Sequence, residues 1–289
     1  MRRLANIGAS VRARLQTLAR QRGQPFQVLL TRYVLERLLY RLSLTSHRNR
    51  FVLKGAMLLT SWFTDPLRPT QDLDPLGFGN SDANAMLAVF QEVCAVEVED
   101  GVTFDVAGLT VEPIREELEY GGLRLKTYAT IDSARIRVVI DIGFGDAVEP
   151  TEMDLPVLLD LPAPRLRAYP PETVIAEKFQ AMVMLGRANS RMKDFYDIWV
   201  LSRSNEFAGD TLARAIRATF DRRNTSIPTD VPDCLTPEFA DDPAKQQQWA
   251  SFVADVATKP GSLENVIAAL EAFLMPHARA AREVGEQSA

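Results

Sequence analysis

The chain has 289 residues, a formal net charge of −5, and 46% hydrophobic and 25% charged residues. This balance is typical of a globular protein and excludes a disordered or collagen-like chain. No apolar run reaches the roughly 18 residues that span a bilayer, and no apolar signal core follows the first residues, so we expect a cytoplasmic protein without a membrane partner.

The few cysteines and histidines limit the kind of metal site. Cys94 and Cys234 are too few for a disulfide framework or a cysteine zinc site, and His47 and His277 are too few for a histidine centre. Any metal here is therefore expected to be a hard cation held by oxygen ligands.

Two helices are predicted over residues 9–46. Val11, Leu15 and Leu18 recur at helical spacing before Gly23, and the pattern resumes after a proline. The helices are rich in arginine, which suits either a solvated helical hairpin or an RNA-binding surface. The hairpin is the more ordinary explanation.

A strand, a glycine turn and a helix are predicted next. The apolar residues 51–53 lead into Lys54 and Gly55, and an apolar stretch with helical spacing follows. Glycine lets the backbone approach a ligand closely, and free amides at such a turn attract anions. The same pair is common in purely structural turns, so its role stays open at this level.

The stretch RPTQDLDPLGFGN, residues 68–80, contains two aspartates separated by one residue. On a strand, Asp72 and Asp74 project to the same face, with Leu73 directed into the core. Two adjacent carboxylates repel each other, and a divalent cation removes that repulsion. The prolines on either side also suit a turn, so metal ligands and turn residues remain alternatives.

Ser81 is predicted to cap a helix, after which the hydrophobic period changes. The short alternating segments GVTFDVAG, GLRLKTYATI and RIRVVIDIGFGD predict strands of a mixed or antiparallel sheet. In the third segment the isoleucines face inward, while Arg135, Arg137 and Asp141 lie on the opposite face. Asp141 is then either a ligand or an acid beside a glycine turn.

The C-terminal half supplies further charged residues. PETVIAEKFQAMVML predicts a helix that begins at Pro171 and carries Lys178 beside its apolar stripe, where a lysine either extends to solvent or faces an anion. After a loop, KDFYDIWVLSRS predicts a second helix, on which Asp194 and Asp197 lie one turn apart. The charges there suit an ordinary surface pair between Lys193 and Asp197, or capping and solvation of the helix start.

Five segments, in this order, resemble a known family: LKGAMLL, RPTQDLD, VVIDIGFGD, PETVIAEKFQAMV and RMKDFYDIWVL. They resemble the AbiEii-type toxin nucleotidyltransferases, a branch of the DNA polymerase β-like superfamily that includes the MenT toxins, over about residues 50–205. The resemblance implies an α+β fold, with a nucleotidyltransferase-type mixed β-sheet core flanked by helices. We expect a helical N-terminal segment at 1–48, the core at 49–165 and a mainly helical C-terminal domain at 166–289.

The resemblance also implies roles for individual residues. Asp72, Asp74 and Asp141 match the family's metal ligands, which would hold Mg²⁺, with Mn²⁺ as the alternative, against the triphosphate of an NTP. Lys178 matches the lysine that pairs with triphosphate oxygens, and Asp194 matches the required aspartate of a KD motif. The other nucleotide-binding residues implied by the match are Lys54, Gly55, Arg68, Thr70 and Lys193.

The activity implied by the resemblance is transfer of a nucleoside monophosphate from an NTP to an acceptor hydroxyl, with release of pyrophosphate. The family suggests the toxin of a bacterial toxin–antitoxin pair, with a tRNA 3′ end as acceptor and a cognate antitoxin protein as partner. The alternatives are transfer to a protein or small molecule, NTP hydrolysis, and a non-catalytic binding module. The arginine clusters expected to bind tRNA are Arg12, Arg14, Arg20 and Arg22, or Arg187 and Arg191.

Three positions depart from the family pattern. Ala56 stands where a second glycine is frequent, and Thr70 stands where serine is usual, so the hydroxyl is kept on a bulkier side chain. Pro75 follows the second aspartate and has no amide hydrogen, so we expect the strand to end, bulge or lie at an edge there. None of these departures removes a carboxylate.

Overall fold

The computed structural model describes residues 6–63, 72–114, 122–145, 150–204, 207, 209–256 and 258–286. Within those ranges, no helix is both long enough and apolar enough to cross a membrane. The described residues fall into two compact units. The first unit contains the chain up to Gly145 together with Pro150–Ala168, and the second contains the described chain from Tyr169 onward.

The first unit contains all the described strands and the N-terminal helices. The strands are β1 (Phe51–Lys54), β2 (Asp74–Gly77), β3 (Thr103–Phe104), β4 (Thr110–Ile114), β5 (Gly122–Ile131), β6 (Ala134–Phe144), β7 (Thr151–Asp154) and β8 (Arg165–Ala168). The helices are α1 (Ile7–Arg22), α2 (Phe26–Ser43), α3 (Ala56–Trp62) and α4 (Ala83–Ala95). The predicted strand, glycine turn and helix around Gly55 are therefore confirmed.

The described strands form one mixed eight-stranded sheet. Its order is β3-β5-β6-β2-β1-β8-β7, and β4 pairs with β5. β5 and β6 form an antiparallel hairpin, and β1 and β2 are also antiparallel, whereas β2 pairs with β6, and β1 with β8, in the parallel sense. The mixed sheet and the α+β fold class agree with the prediction.

Helix α2 is buried along most of its length, including its charged side chains. Arg41 donates to the two carboxylate oxygens of Asp100 at 2.6 and 3.1 Å, and both side chains are almost fully buried. Glu36 lies 3.1 Å from Arg37 and accepts a hydrogen bond of 2.8 Å from the amide of Leu158. These partners offset part of the cost of removing the charges from water.

The second unit is built from helices in its described part. They are α5 (Pro171–Leu185), α6 (Met192–Ser204), α7 (Gly209–Arg222), α8 (Pro237–Ala240), α9 (Pro243–Val253) and α10 (Leu263–Glu286). α7 packs against both α5 and α10, and α6 packs against α5 and α10. Pro171 is the first residue of α5, as predicted, because proline fits a position where the helix needs no amide donor.

Two local predictions are wrong. The N-cap of α4 is Asp82, whose carboxylate accepts a 2.9 Å hydrogen bond from the amide of Ala85, so the predicted cap at Ser81 is one residue too early. Pro75 lies neither at the end of a strand nor at an edge, because β2 continues beyond it between β6 and β1. The sequence shows that Pro75 has no backbone amide hydrogen to donate. It does not show which neighbouring strand would have accepted that hydrogen bond, so the prediction for this strand was wrong.

Pro75 instead interrupts the pairing of β2 with β6. Leu73 forms an isolated parallel bridge with Ile140, and the regular ladder starts only at Leu76 opposite Gly143. In a parallel ladder, alternate residues direct their amides to the same neighbour, so the amide that points to β6 after Leu73 would belong to residue 75. Proline has no amide hydrogen to donate there.

Candidate active site

Three carboxylates meet at the start of β2. Asp72 lies in a bend, Asp74 is the first residue of β2, and Asp141 lies on the neighbouring strand β6. One carboxylate oxygen of each residue lies within 4.8 Å of those of the other two, and all three residues are half-buried. The structure therefore brings together the predicted acids, although only the second aspartate belongs to a regular strand.

The register of the sheet explains why these acids meet. The bridge between Leu73 and Ile140 and the pair between Leu76 and Gly143 have the same offset, so Asp74 lies opposite Asp141. Cross-strand neighbours on one face of a sheet are close enough to interact. The amide of Asp141 also donates to the carbonyl oxygen of Leu73 at 2.8 Å, which fixes the two strands together at this level.

Two cations flank Asp141 and Asp74 in the same row across the sheet. Arg124 on β5 is opposite Asp141, and Lys54 on β1 is opposite Asp74. Four neighbouring strands thus place an arginine, two aspartates and a lysine side by side across the sheet. The row offsets the repulsion between its two central carboxylates with a cation on each side.

Arg124 is a site residue that the sequence analysis missed. Its Nε and Nη2 donate to the two carboxylate oxygens of Asp141 at 2.7 and 2.6 Å. The hydrogen bonds and the charge of Asp141 raise the pKa of Arg124 above its ordinary value. In a hairpin with a two-residue turn at Asp132 and Ser133, counting back along both strands pairs Arg124 with Asp141. The contact could therefore have been predicted from the sequence by assuming such a turn.

Gly55 separates β1 from α3 and lies against Asp74. Its φ of 78° and ψ of −160° belong to a region that residues with a side chain rarely adopt. A Cβ at this position would lie 2.9 Å from the Cβ of Asp74 and closer still to one carboxylate oxygen. The ammonium of Lys54 reaches toward β6, because a Cβ added to Gly143 on that strand would lie 3.5 Å from the Nζ of Lys54.

The second unit holds a separate charged cluster around Lys178. Its ammonium lies 2.5 Å from a carboxylate oxygen of Asp194 and 2.9 Å from one of Asp197. The side chains of these two aspartates are 6% and 1% exposed, and that of the lysine is 15% exposed. Asp194 therefore holds Lys178 rather than Lys193, and the predicted surface pair of Lys193 with Asp197 is wrong because Asp197 is buried.

The remaining predicted residues are less informative. Arg68 and Thr70 lie outside the described residues. Lys193 is on α6 and exposed to solvent, so its nucleotide-binding role stays a prediction. The arginines at 12, 14, 20 and 22 are all exposed on α1.

Comparisons with known proteins identify the family and the fold of the chain. Residues 37–275 match the family model of the nucleotidyl transferase AbiEii toxin of type IV toxin–antitoxin systems, a longer range than the five segments cover. No curated protein matches the sequence.

Two solved structures from the same species have a similar fold. A candidate nucleotidyltransferase from H. pylori aligns with a TM-score of 0.50 at 16% identity, over 91% of this chain and 98% of that one. JHP933 from Helicobacter pylori aligns with a TM-score of 0.50 at 15% identity, over 91% and 95% of the two chains. At these identities the likeness concerns the fold alone. Because the family model spans well over half of the sequence, this chain belongs to the AbiEii family of nucleotidyltransferase toxins of type IV toxin–antitoxin systems.

Proposed function

We propose that the enzyme transfers a nucleoside monophosphate from an NTP to the 3′-terminal hydroxyl of tRNA, with release of pyrophosphate and with Mg²⁺ as its cofactor. The observation that carries the proposal is the meeting of Asp72, Asp74 and Asp141 within 4.8 Å on one side of the sheet. The cytoplasm, where NTPs and tRNA are abundant, is its expected location. A cognate antitoxin protein is the partner expected of a toxin in this family.

The donor set fits a hard divalent cation. Mg²⁺ prefers carboxylate oxygens and keeps some water ligands, so a few aspartates suffice beside the phosphates of a substrate. Arg124 uses one acceptor position on each oxygen of Asp141, and a carboxylate has about four such positions, so Asp141 retains the capacity to bind a metal. When bound, Mg²⁺ neutralises phosphate oxygens and lowers the pKa of the attacking hydroxyl.

The protein's own residues have distinct proposed roles. Asp72, Asp74 and Asp141 hold the metal, and the bare Cα of Gly55 leaves room for the carboxylate of Asp74. Lys54 supplies positive charge next to the acids for the negatively charged triphosphate.

Roles in the second unit, and at two further positions, follow from the family resemblance. We assign to Lys178 the binding of phosphate oxygens, with Asp194 holding its ammonium in place. Arg68, Thr70 and Lys193 are assigned to nucleotide binding on the motif match alone.

The test is a labelling reaction with purified protein, Mg²⁺, unfractionated tRNA and each of the four α-labelled NTPs in turn. The wild type should transfer label to RNA, and Asp72→Ala should not. Asp160→Ala, which removes an exposed aspartate of the same unit, is the matched control and should label RNA normally. Magnesium dependence is measured by adding a chelator and then restoring Mg²⁺ or Mn²⁺.

The acceptor is tested with periodate-treated tRNA, whose terminal ribose no longer has its hydroxyls. Label that disappears with treated tRNA assigns the 3′ end as the acceptor. Label that persists places the acceptor elsewhere on the RNA, and label found in protein favours transfer to protein. NTP loss without any labelled acceptor would indicate a hydrolase and contradict the proposal.

A further inference from the structure

The β5–β6 hairpin has one buried face and one exposed face. Leu125, Ala129, Ile136 and Val138 are buried on the inner face, as the alternating pattern requires. The outer face instead carries eight side chains, of which four are basic. The outer residues that matter here, named the hairpin face, are Arg124, Lys126, Tyr128, Arg135 and Arg137.

The hairpin face is continuous with the carboxylate site. Arg124 lies opposite Asp141 in the carboxylate row, and Lys126 and Tyr128 follow at alternate positions along β5. On β6, Arg137 is opposite Tyr128, and Arg135 lies one step further toward the turn. From Asp141 to Arg135 the strand runs about 20 Å at about 3.3 Å per residue. That length accommodates a few nucleotides of an extended strand.

The charges of the hairpin face are unequally compensated. Arg124 pairs with Asp141, and Lys126 pairs with Glu112 of β4. Among the described residues, no carboxylate lies within ion-pair distance of Arg135 or Arg137, and both are exposed. These two arginines therefore leave positive charge on the surface, along the approach to the acids, that phosphate groups would neutralise.

An aromatic ring lies within the same surface. Tyr128 is 38% exposed, and the guanidinium carbon of Arg135 lies 3.7 Å from the centroid of its ring. Proteins bind single-stranded nucleic acid through basic grooves combined with aromatic rings and guanidinium planes on which bases stack. The pair of Tyr128 and Arg135 provides both kinds of stacking surface at one position.

Helix α1, one of the two surfaces expected from the sequence, fits this partner less well. Its arginines are exposed, but the helix contains no aromatic residue. Arg12 is also partly compensated, because it lies 3.5 Å from a carboxylate oxygen of Asp132 at the tip of the hairpin.

We propose that the hairpin face binds the single-stranded acceptor end of the RNA substrate and leads its 3′ terminus to the carboxylates. This inference rests on the function proposed above, because it takes RNA as the acceptor. In it, Arg135 and Arg137 contact phosphates, and Tyr128 stacks with a base.

The test compares binding of two 5′-labelled probes, unfractionated tRNA and a short single-stranded RNA with a free 3′ hydroxyl, by fluorescence anisotropy. The variant Arg135→Gln/Arg137→Gln should raise the Kd of both probes by about tenfold at low salt, and should reduce the slope of log Kd against log salt by about 1.4, or 0.7 per phosphate. Tyr128→Ala should raise Kd by about fivefold or more, while Tyr128→Phe, which keeps the ring, should not.

Controls separate this surface from general electrostatics and from the transfer reaction. Arg20→Gln/Arg22→Gln removes the same two charges from exposed positions of α1 and should change Kd by less than about twofold. NTP binding, measured calorimetrically with a non-hydrolysable analogue, should be unchanged in all variants. Thermal unfolding checks that each variant is folded.

The possible outcomes have different consequences. If the wild type labels RNA and the hairpin variant binds RNA normally, the inference is wrong while the transfer function stands. Equal weakening by the α1 and hairpin variants also overturns it, because binding would then follow net charge alone. If the wild type labels no RNA under any of the conditions above, the tRNA acceptor is wrong and the inference is wrong with it.

Discussion

Gly55 and Asp74 lie so close together that a side chain on the glycine and the carboxylate of the aspartate cannot occupy their observed positions at once. We therefore expect Gly55→Ala to displace Asp74 and to lower the transfer rate by more than about tenfold, as happens when a ligand moves by about 1 Å. Transfer rate and thermal stability are measured in parallel.

Gly79 provides the control for this substitution. It also has a positive φ, of 86°, but no atom lies within 4 Å of an added Cβ. Gly79→Ala should therefore share the backbone strain, about 1 kcal/mol or more, and keep its activity. An active Gly55→Ala enzyme would show that Asp74 tolerates displacement.

The pair of Arg124 and Asp141 predicts how metal ions affect stability. Arg124→Gln removes one of the two cations in the row, so the carboxylates repel more strongly in the metal-free protein. We expect a loss of about 1 kcal/mol without metal, modest because the arginine side chain is 40% exposed, and a larger metal-induced rise in Tm than in the wild type.

Thermal shift assays with and without Mg²⁺ or Mn²⁺ measure both effects of Arg124→Gln. Arg124→Lys retains the charge but loses the paired hydrogen bonds, so its metal response should resemble that of the wild type. Identical metal-induced shifts in Arg124→Gln and wild type would mean that the arginine has no influence on the carboxylates.

The Lys178 cluster predicts a strong effect on stability, which is measured apart from activity. Lys178→Met removes the ammonium that lies 2.5 and 2.9 Å from the buried carboxylates of Asp194 and Asp197, which should cost about 3 kcal/mol of unfolding free energy. Urea unfolding measures this loss. The double variant Lys178→Met/Asp197→Asn also removes one of the two carboxylate charges and should be more stable than Lys178→Met alone. If the double variant lost as much unfolding free energy as Lys178→Met and Asp197→Asn lose separately, Lys178 and Asp197 would not be coupled.

Glu36 predicts a pH dependence of stability. Burial raises the pKa of Glu36 from 4.5 to about 7, the effect of Arg37 and of the Leu158 amide being smaller. Between these two values the folded protein keeps a proton that the unfolded chain has lost, so its stability falls as pH rises. The decrease attributable to this group is roughly 3 kcal/mol at most.

The measurement for Glu36 is urea unfolding at pH 5 and pH 8. As pH rises, the unfolding free energy of the wild type should fall relative to that of Glu36→Gln, because the glutamine amide does not titrate. Glu97→Gln, at an exposed position of the same unit, is the control for the loss of one carboxylate. Parallel profiles for wild type and Glu36→Gln would contradict the raised pKa.

Local patterns predicted much of the fold correctly. Alternation predicted β5 and β6 and the outward direction of Arg135, Arg137 and Asp141, because side chains on a strand alternate whatever the strand packs against. The proline and glutamate at the start of α5 predicted its beginning, since helix ends depend on nearby residues. The short strands β4, β7 and β8 were missed because, unlike β1, they contain no run of apolar residues.

The sequence by itself determined which groups are proposed to carry the chemistry: two aspartates in a D-x-D motif, a third on an alternating strand, and a lysine on a helix. Only the tertiary structure decided how they are arranged, because the parallel register of β2 and β6 joins residues far apart in the chain. The antiparallel register of the β5–β6 hairpin placed Arg124 on Asp141, and helix packing placed Asp197 on Lys178. Such partners depend on how separate strands and helices pack together, which the periodicity of a single element does not encode.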